Sequence, residues 1–255
     1  RDGDRKVSFD DLFSSVADVR EQLLAHPAIS SHPLPRIGVR FPNGLGYIVV
    51  ALAVLDARAC FVPIPDELTT RERAQLIRET SLHGVISTCD DGNIQLPYDL
   101  GSALLESCPF SQPTFPEHEL NAIEPAFIRF SSGTTAASKG VILSHKSLFD
   151  RIHAANDGLN IRAGENVLWT LPMAHHFAVS IVLYLYFGAT TVLETTHQPE
   201  QLYLAAKTSG SHLLYGSPFH FAQLAQCKTA APLPKLRLAI STASAASSAA
   251  ATVVP

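Results

Sequence analysis

The sequence predicts an α/β protein with two lobes, each a largely parallel sheet with flanking helices. Short apolar runs of strand length alternate with longer runs whose apolar residues recur at helical spacing. This alternation is typical of parallel strands joined by helical crossovers. A stretch at 89–121 contains four prolines and little periodicity, which indicates an irregular connection. We therefore expect a first lobe at 1–120 and a second lobe at 121–255, incomplete at its C-terminus.

The first lobe opens with an amphipathic helix. Ser8, followed by Asp11, resembles a capping box, and the apolar residues that follow recur on one helical face. A Pro-Asn-Gly turn at 42–44 separates the first strand from a second helix, and Thr70 opens a third. The predicted elements are a helix at 9–25, a strand at 36–41, a helix at 45–57, a strand at 60–64, a helix from 70 and a strand at 84–88.

The second lobe continues the alternation after the proline-rich stretch. The predicted strands are 126–130, 141–144, 167–171, 189–193, 212–215 and 236–241. The predicted helices are 146–159, 177–187, 199–208 and 218–226. The alanine-rich residues 243–251 favour the start of a further helix.

The composition excludes several functional classes. The formal net charge is −4 with a pI of about 6.3, so nucleic acid and anionic membrane surfaces are not expected as main partners. The longest apolar stretch, 46–59, is interrupted by Asp56 and is too short to span a bilayer. The cysteines form no C-x-x-C motif, so neither a zinc site nor a disulfide framework is indicated. We expect a cytoplasmic protein. The cysteines are Cys60, Cys89, Cys108 and Cys227.

A hydroxyl-rich loop with one lysine follows the strand predicted at 126–130. Residues 130–140 read Phe-Ser-Ser-Gly-Thr-Thr-Ala-Ala-Ser-Lys-Gly. Hydroxyls, glycine N–H groups and the ammonium of Lys139 suit a polyphosphate, which needs many donors and a compensating charge. From composition alone, an ordinary Ser/Thr/Gly turn between two strands fits equally well. A Walker A loop fits poorly, because Ser138 precedes the lysine and Gly140 follows it. This disfavours an unrelated P-loop NTPase.

Four segments, in this order, resemble the adenylate-forming superfamily of acyl-CoA synthetases, luciferases and peptide-synthetase adenylation domains. The first is the hydroxyl-rich loop, continued by Ser144 and His145. The others read Leu-Pro-Met-Ala-His-His-Phe at 171–177, Tyr-Gly-Ser-Pro at 215–218, and Leu-Arg-Leu-Ala-Ile-Ser-Thr-Ala-Ser-Ala at 236–245. Segments 39–43 and 51–65 agree with the family pattern as well. The resemblance runs from about Val7 to the C-terminus.

The resemblance implies a fold, a reaction and its cofactors. The fold would be the large N-terminal domain of an adenylate-forming enzyme, truncated in this chain. The reaction would be ATP-dependent activation of a small carboxylic acid as an acyl-adenylate, then transfer to CoA. ATP and Mg²⁺ would be required, with Mg²⁺ held largely by the phosphates, and no protein metal ligands are expected. The identity of the acid, the acceptor and the oligomeric state stay open.

The resemblance also implies roles for individual residues. Catalysis would involve His175 and Lys139. Residues that bind the nucleotide would be Ser131, Ser132, Gly133, Thr134, Thr135, Lys139, Gly140, Ser244 and Ala245. Residues that bind the acid would be His175, His176, Gly216 and Ser217. Taken singly, Lys139 also fits an exposed surface lysine and His175 a partly buried, hydrogen-bonded histidine. His145 is interpreted as a polar residue at a strand end.

The chain departs from the family pattern at several positions. Ala136, Ala178, Thr242 and Ala243 stand where the family commonly has glycine, and Ser138 where it often has proline. Alanine costs backbone freedom wherever a positive φ is needed. A second class therefore stays open, a non-catalytic nucleotide-binding or scaffold module of the same fold. The family's later motifs, its hinge and its C-terminal lid domain are not in this sequence. We therefore expect the 255-residue chain alone to be inactive.

Overall fold

The structure is a computed structural model that describes residues 1–108, 116–131, 139–227 and 231–242. The chain forms two compact units. The first unit is Val7–Arg151, and the second combines Arg1–Lys6 with Ile152–Pro255.

The helices and strands alternate along most of the chain, as predicted. The first unit contains α1 (Phe9–Ala25), α2 (Pro27–Ser30), β1 (Arg36–Arg40), α3 (Leu45–Asp56), β2 (Cys60–Pro63), α4 (Thr70–Thr80), β3 (Gly84–Cys89), β4 (Ile94–Gln95), β5 (Ser102–Ser107), α5 (Glu117–Ala122), β6 (Pro125–Ser131) and β7 (Lys139–Ser144). Helix α6 (His145–Leu159) runs from the first unit into the second. The second unit contains β8 (Asn166–Trp169), α7 (Met173–His176), α8 (Ile181–Tyr186), β9 (Thr190–Leu193), α9 (Pro199–Ser209), β10 (Leu213–Gly216), α10 (Pro218–Gln226) and β11 (Leu238–Ser241).

Side-chain caps start two helices of the first unit where the sequence predicted helices. Ser8 accepts a hydrogen bond from the backbone N–H of Asp11 at 3.1 Å and begins α1. Thr69 and Glu72 form a reciprocal capping box that begins α4. Each cap satisfies backbone N–H groups that a helix leaves without an internal partner.

The first sheet has seven strands in the order β4-β5-β3-β1-β2-β6-β7. Strands β3, β1, β2 and β6 are mutually parallel, and the pairings β4–β5, β5–β3 and β6–β7 are antiparallel. Strand β6 joins this sheet through Phe61 and Phe127, whose rings stack at 5.7 Å. Strands β6 and β7 therefore belong to the first unit, and the division between units falls after Arg151 rather than near residue 120.

The prediction of an irregular connection at 89–121 was wrong for the part up to Ser107, and residues 109–115 lie outside the described ranges. Strands β4 and β5 form there and pair with each other, and β5 pairs with β3 over its whole length. The side chain of Asn93 fixes this arrangement, because its amide accepts from Leu105 N–H at 2.9 Å and donates to Leu105 C=O at 3.0 Å. Pairing with a distant strand therefore overrides the weak local pattern.

A side chain of α1 covers the margin of the first sheet at β4. The backbone N–H of Gln95 donates to Gln22 Oε1 at 2.7 Å, and Gln22 Nε2 donates to the carbonyl of Gln95 at 3.2 Å. The amide of Gln22 thus makes the two hydrogen bonds that a neighbouring strand would make.

The second sheet has four strands in the order β11-β10-β8-β9, and all of its pairings are parallel. Helices α9 and α10 cover one face with Leu202, Tyr203, Phe221 and Leu224, which pack against Leu214 and other buried residues. The helix predicted at 177–187 is interrupted. A 3₁₀ turn at Phe177–Val179 precedes α8, and Ser180 has φ −132° and ψ −60°, outside the α region.

Two further findings bear on the functional class. Within the described ranges, no helix is long and apolar enough to cross a membrane. All four cysteines lie in these ranges and are free thiols.

An ion pair anchors the start of the second sheet. Arg237 donates from Nε to Glu165 Oε1 at 2.6 Å and from its second terminal nitrogen to Glu165 Oε2 at 2.7 Å. The same guanidinium donates to the carbonyls of Leu159 and Asn160 at the end of α6. The Arg237 hydrogen bonds hold the pKa of the Glu165 carboxyl below its usual value, with a further contribution from the backbone N–H of Arg162.

We expect Arg237→Gln to lower the free energy of unfolding by about 1–3 kcal/mol at neutral pH, because Glu165 loses charged hydrogen-bond donors. A folded-state pKa below the unfolded-state value stabilises the protein above the unfolded-state pKa, and this contribution is lost as pH falls through the folded-state pKa. The difference between variant and wild type should therefore shrink at about pH 3. Urea unfolding at both pH values measures it. Lys207→Gln, on the exposed side of α9, is the control, and an equal difference at both pH values would contradict the assignment to Glu165.

Candidate functional site

The hydroxyl-rich loop is held by a strand pair of the first unit. Strands β6 and β7 are antiparallel, with Ser131 opposite Lys139 and Phe130 opposite Gly140. The backbones of Ser131 and Lys139 therefore face each other where the loop leaves and re-enters the sheet. Ser132, Gly133, Thr134 and Thr135 lie outside the described residues, as do Ala136 and Ser138.

The chain turns directly from β7 into α6. Ser144 accepts from the backbone N–H of Ser147 at 3.0 Å and so caps the helix. His145 follows it, and its backbone N–H donates to the carbonyl of Glu124 at 3.4 Å. Burial, with the positive charge of Arg58 next, lowers the pKa of the His145 imidazole. His145 is therefore partly enclosed by its own unit.

The other predicted site residues meet at the carboxyl edge of the second sheet. His175 and His176 follow β8, Gly216 ends β10 and is followed by Ser217, and Thr242 follows β11. The backbone N–H of Thr242 donates to the carbonyl of Gly216 at 3.0 Å. Ligands of open parallel sheets bind at this edge. Ser244 and Ala245 lie outside the described residues.

The structure describes two of the positions at which this chain lacks the glycine that is common in the family. Ala178 is buried in the 3₁₀ turn and Thr242 follows β11. Neither is among the described non-glycine residues with positive φ. The backbone at these two positions therefore does not require glycine. Ala243 lies outside the described residues.

One face of the second sheet carries an aromatic cluster formed by Trp169, His176, Tyr184 and Tyr215. Trp169 and Tyr215 stack at 5.0 Å with an interplanar angle of 10°. His176 lies edge-on to both rings at 6.0 Å, and His175 lies 6.5 Å from His176. Burial raises the pKa of the Tyr184 hydroxyl. Sequence reasoning missed Trp169, Tyr184 and Tyr215 as site residues, although Tyr215 begins the Tyr-Gly-Ser-Pro segment.

Gly216 is closely packed on the opposite face. A Cβ atom at this position would lie 3.2 Å from His220 Cβ and 3.2 Å from Thr170 Oγ1. Ser217 begins α10, and its hydroxyl lies 2.7 Å from His220 Nδ1. The backbone N–H of Ser217 also donates to His220 Nδ1, at 3.2 Å. Ser217 thus acts as a helix cap, and the pattern Ser-x-x-His could have indicated this in the sequence.

His220 is buried and uncharged at neutral pH. Burial lowers the pKa of its imidazole, and His197, whose ring centroid lies 5.3 Å away, lowers it further. Nδ1 accepts from the Ser217 N–H, so the neutral ring carries its proton on Nε2. Sequence reasoning did not single out either histidine.

Metal binding by side chains has no support in the described ranges, where no group of three or more His, Cys, Asp or Glu residues is arranged to hold an ion.

The mostly parallel sheets with flanking helices have the fold of the N-terminal domains of adenylate-forming enzymes. The family model described as "AMP-binding enzyme" matches residues 1–254. The chain belongs to this family.

Relatives of known activity agree with this membership. The 4-chlorobenzoate–CoA ligase of Arthrobacter sp is 25% identical over 241 residues, which cover 89% of this chain and 46% of that enzyme. Tyrocidine synthase 3 of Brevibacillus parabrevis is 25% identical over 213 residues, covering 79% of this chain and 3% of the synthase. The chain therefore spans about half the length of the CoA ligase that it matches.

Solved structures share the fold. Apo MatB from Rhodopseudomonas palustris has a TM-score of 0.78 at 18% identity. The match covers 98% of this chain and 52% of the MatB chain. The N-terminal domain of FACL13 from Mycobacterium tuberculosis has a TM-score of 0.77 at 17% identity. The match covers 98% of this chain and 66% of the FACL13 chain. The predicted fold class is confirmed.

We expect His197→Gln to raise the pKa of His220, because the substitution removes a nearby group that disfavours the imidazolium. Burial remains, so the pKa should stay below the usual histidine value. Titration of the imidazole C–H resonances by NMR measures the change. His153→Gln, beside Tyr186 and Phe187, is the control. An unchanged His220 titration in His197→Gln would contradict the proposed electrostatic coupling.

Proposed function

We propose that the protein activates a small carboxylic acid with ATP as an acyl-adenylate and transfers the acyl group to CoA. The observation that carries this proposal is the family match over residues 1–254. CoA is proposed as the acceptor because the 4-chlorobenzoate relative is named as a CoA ligase. We place the reaction in the cytoplasm, where ATP and CoA are both available.

In the proposed first step, a carboxylate oxygen of the acid attacks the α-phosphorus of ATP. The bond from this phosphorus to the bridging oxygen breaks, and pyrophosphate leaves. In the second step the CoA sulfur, having lost its proton, attacks the acyl carbonyl, and AMP leaves. Both steps bring anions together, so positioning and charge neutralisation are the main catalytic tasks.

The hairpin of β6 and β7 is proposed to hold the leaving pyrophosphate. Its opposed backbone positions Ser131 and Lys139 bring a hydroxyl residue and a lysine to the two ends of one loop. The hydroxyl residues, the glycines and the lysine supply neutral donors and one positive charge, and this donor set suits phosphate oxygens. Mg²⁺, when bound with ATP, would neutralise further phosphate charge. A solved structure of the same fold, o-succinylbenzoate CoA synthetase from Bacillus subtilis, is a complex with ATP and magnesium ion.

The carboxyl edge of the second sheet is proposed to bind the acid. His175 would orient the carboxylate, and His176 and Gly216 would line the site. Ser217 would act through its cap on α10, which fixes the end of β10. Ser244 and Ala245 are proposed to lie against the adenine. Ala178 and Thr242 have no positive φ, so the loss of glycine at these two positions does not argue against an intact backbone at this edge.

We expect Lys139→Ala to weaken ATP binding by about ten- to hundredfold, because a charged hydrogen bond to phosphate is lost. Isothermal titration calorimetry with Mg²⁺ and ATP measures the change. Lys146→Ala is the matched control, because Lys146 is exposed and pairs with Asp150 at 2.6 Å. This control should bind ATP as the wild type does.

The same titrations discriminate between the two functional classes. Equal ATP affinities in the wild type and Lys139→Ala would contradict the pyrophosphate role and favour the scaffold module. Acid-dependent exchange of labelled pyrophosphate into ATP then measures the chemical step itself.

A further inference from the structure

The space behind the acid-binding edge is filled by large side chains. Trp169 is 2% exposed and Tyr184 is 1% exposed. Phe177 and Met173, which follow β8 in the chain, are each 1% exposed. Tyr215 is only partly buried. Tyr215 is therefore more exposed than the large side chains packed around it.

The backing is fixed in place by directional contacts. Trp169 donates from its indole nitrogen to the carbonyl of Leu171 at 2.8 Å. Tyr184 lies edge-on to Trp169 at 6.1 Å and to Tyr215 at 6.4 Å. Close-packed interiors resist rotation of such rings, because rotation would leave a void and lose the ring contacts. Trp169 is in register with Tyr215 on the neighbouring strand β8 and therefore forms a rigid wall beside the Tyr215 ring.

On the side of Tyr215 away from Trp169, the sheet continues with β11. Tyr215 is in register with Ile240 of β11, and residues in register on neighbouring strands project from the same face. Thr242 lies two residues further along and so continues this face. His176, Ile240 and Thr242 are each partly exposed. A planar group lying here could contact an aromatic ring, an imidazole and an aliphatic side chain at once.

We infer that this edge selects a short, planar carboxylic acid, such as an aromatic acid, and that Trp169 sets the maximum length of the acid. The inference rests on the proposed function. A planar ring gains contact with Tyr215 and His176, whereas a long alkyl chain needs the volume that Trp169 and Tyr184 already fill. Trp169 is thus a specificity-determining residue that acts through the Tyr215 ring.

Trp169 can serve as an intrinsic fluorescent probe, because it is the single tryptophan of the chain. Benzoate, acetate and octanoate are titrated separately, with and without ATP, while tryptophan emission is recorded. We expect benzoate to change the emission saturably, and acetate and octanoate at equal concentrations to leave it unchanged. Phe219→Leu is the control, because Phe219 is exposed on α10, which covers the other face. This variant should match the wild type.

A second variant tests the length limit. We expect Trp169→Leu to shift the ratio of octanoate to benzoate affinity by about tenfold or more toward octanoate, because the smaller side chain opens space beside Tyr215. Calorimetry measures both acids, since this variant has lost the fluorescent probe. Trp169→Phe, which retains an aromatic ring, provides a milder variant should Trp169→Leu not fold, and should shift the ratio in the same direction by less.

The outcomes separate this inference from the function on which it rests. ATP binding is measured by calorimetry on the same samples, and it tests the role proposed for the hairpin that contains Lys139. If ATP binds but octanoate binds the wild type as tightly as benzoate does, or the ratio is unchanged in the folded Trp169 variants, the inference is overturned and the proposed function stands. If ATP does not bind, the proposed function fails, and the inference fails with it.

Discussion

Parallel pairing in the second sheet is the constraint on which the candidate acid site depends. A parallel pair requires a crossover between its strands, so successive strands run in the same direction and end at the same edge. Helices supply these crossovers between β8, β9, β10 and β11. His176, Gly216 and Thr242 are far apart in the sequence and lie at one edge for this reason. Binding groups can then be contributed by several short segments, each held by a strand in the core.

The sequence predicted the elements whose signals are local. Helical periodicity and side-chain caps indicated α1 and α4, and apolar runs indicated the parallel strands. The antiparallel strands β4 and β5 were missed, because their pairing depends on β3 and on the Asn93 amide rather than on their own composition. The allocation of β6 to the first sheet also depends on a distant partner, Phe61, and no local pattern could indicate it.

For the candidate site, the sequence identified positions but not packing. The family resemblance indicated His175, His176, Gly216 and Ser217, and the structure brings their segments to one edge. The sequence could not indicate that Trp169 and Tyr215 stack, because strands buried on both faces have no visible alternation of apolar and polar residues. The sequence also did not indicate that His220 packs against Gly216, a contact that leaves little room for a side chain at residue 216.

The contact between Gln22 and Gln95 bears on how the protein behaves among other copies of itself. An open sheet margin presents unpaired N–H and C=O groups, and these can template the addition of strands from neighbouring molecules. At β4 the strand has only two residues, and the Gln22 amide already occupies both backbone groups of Gln95. This margin therefore offers little to an incoming strand. The polar residue in α1 therefore blocks strand addition at this margin of the first sheet.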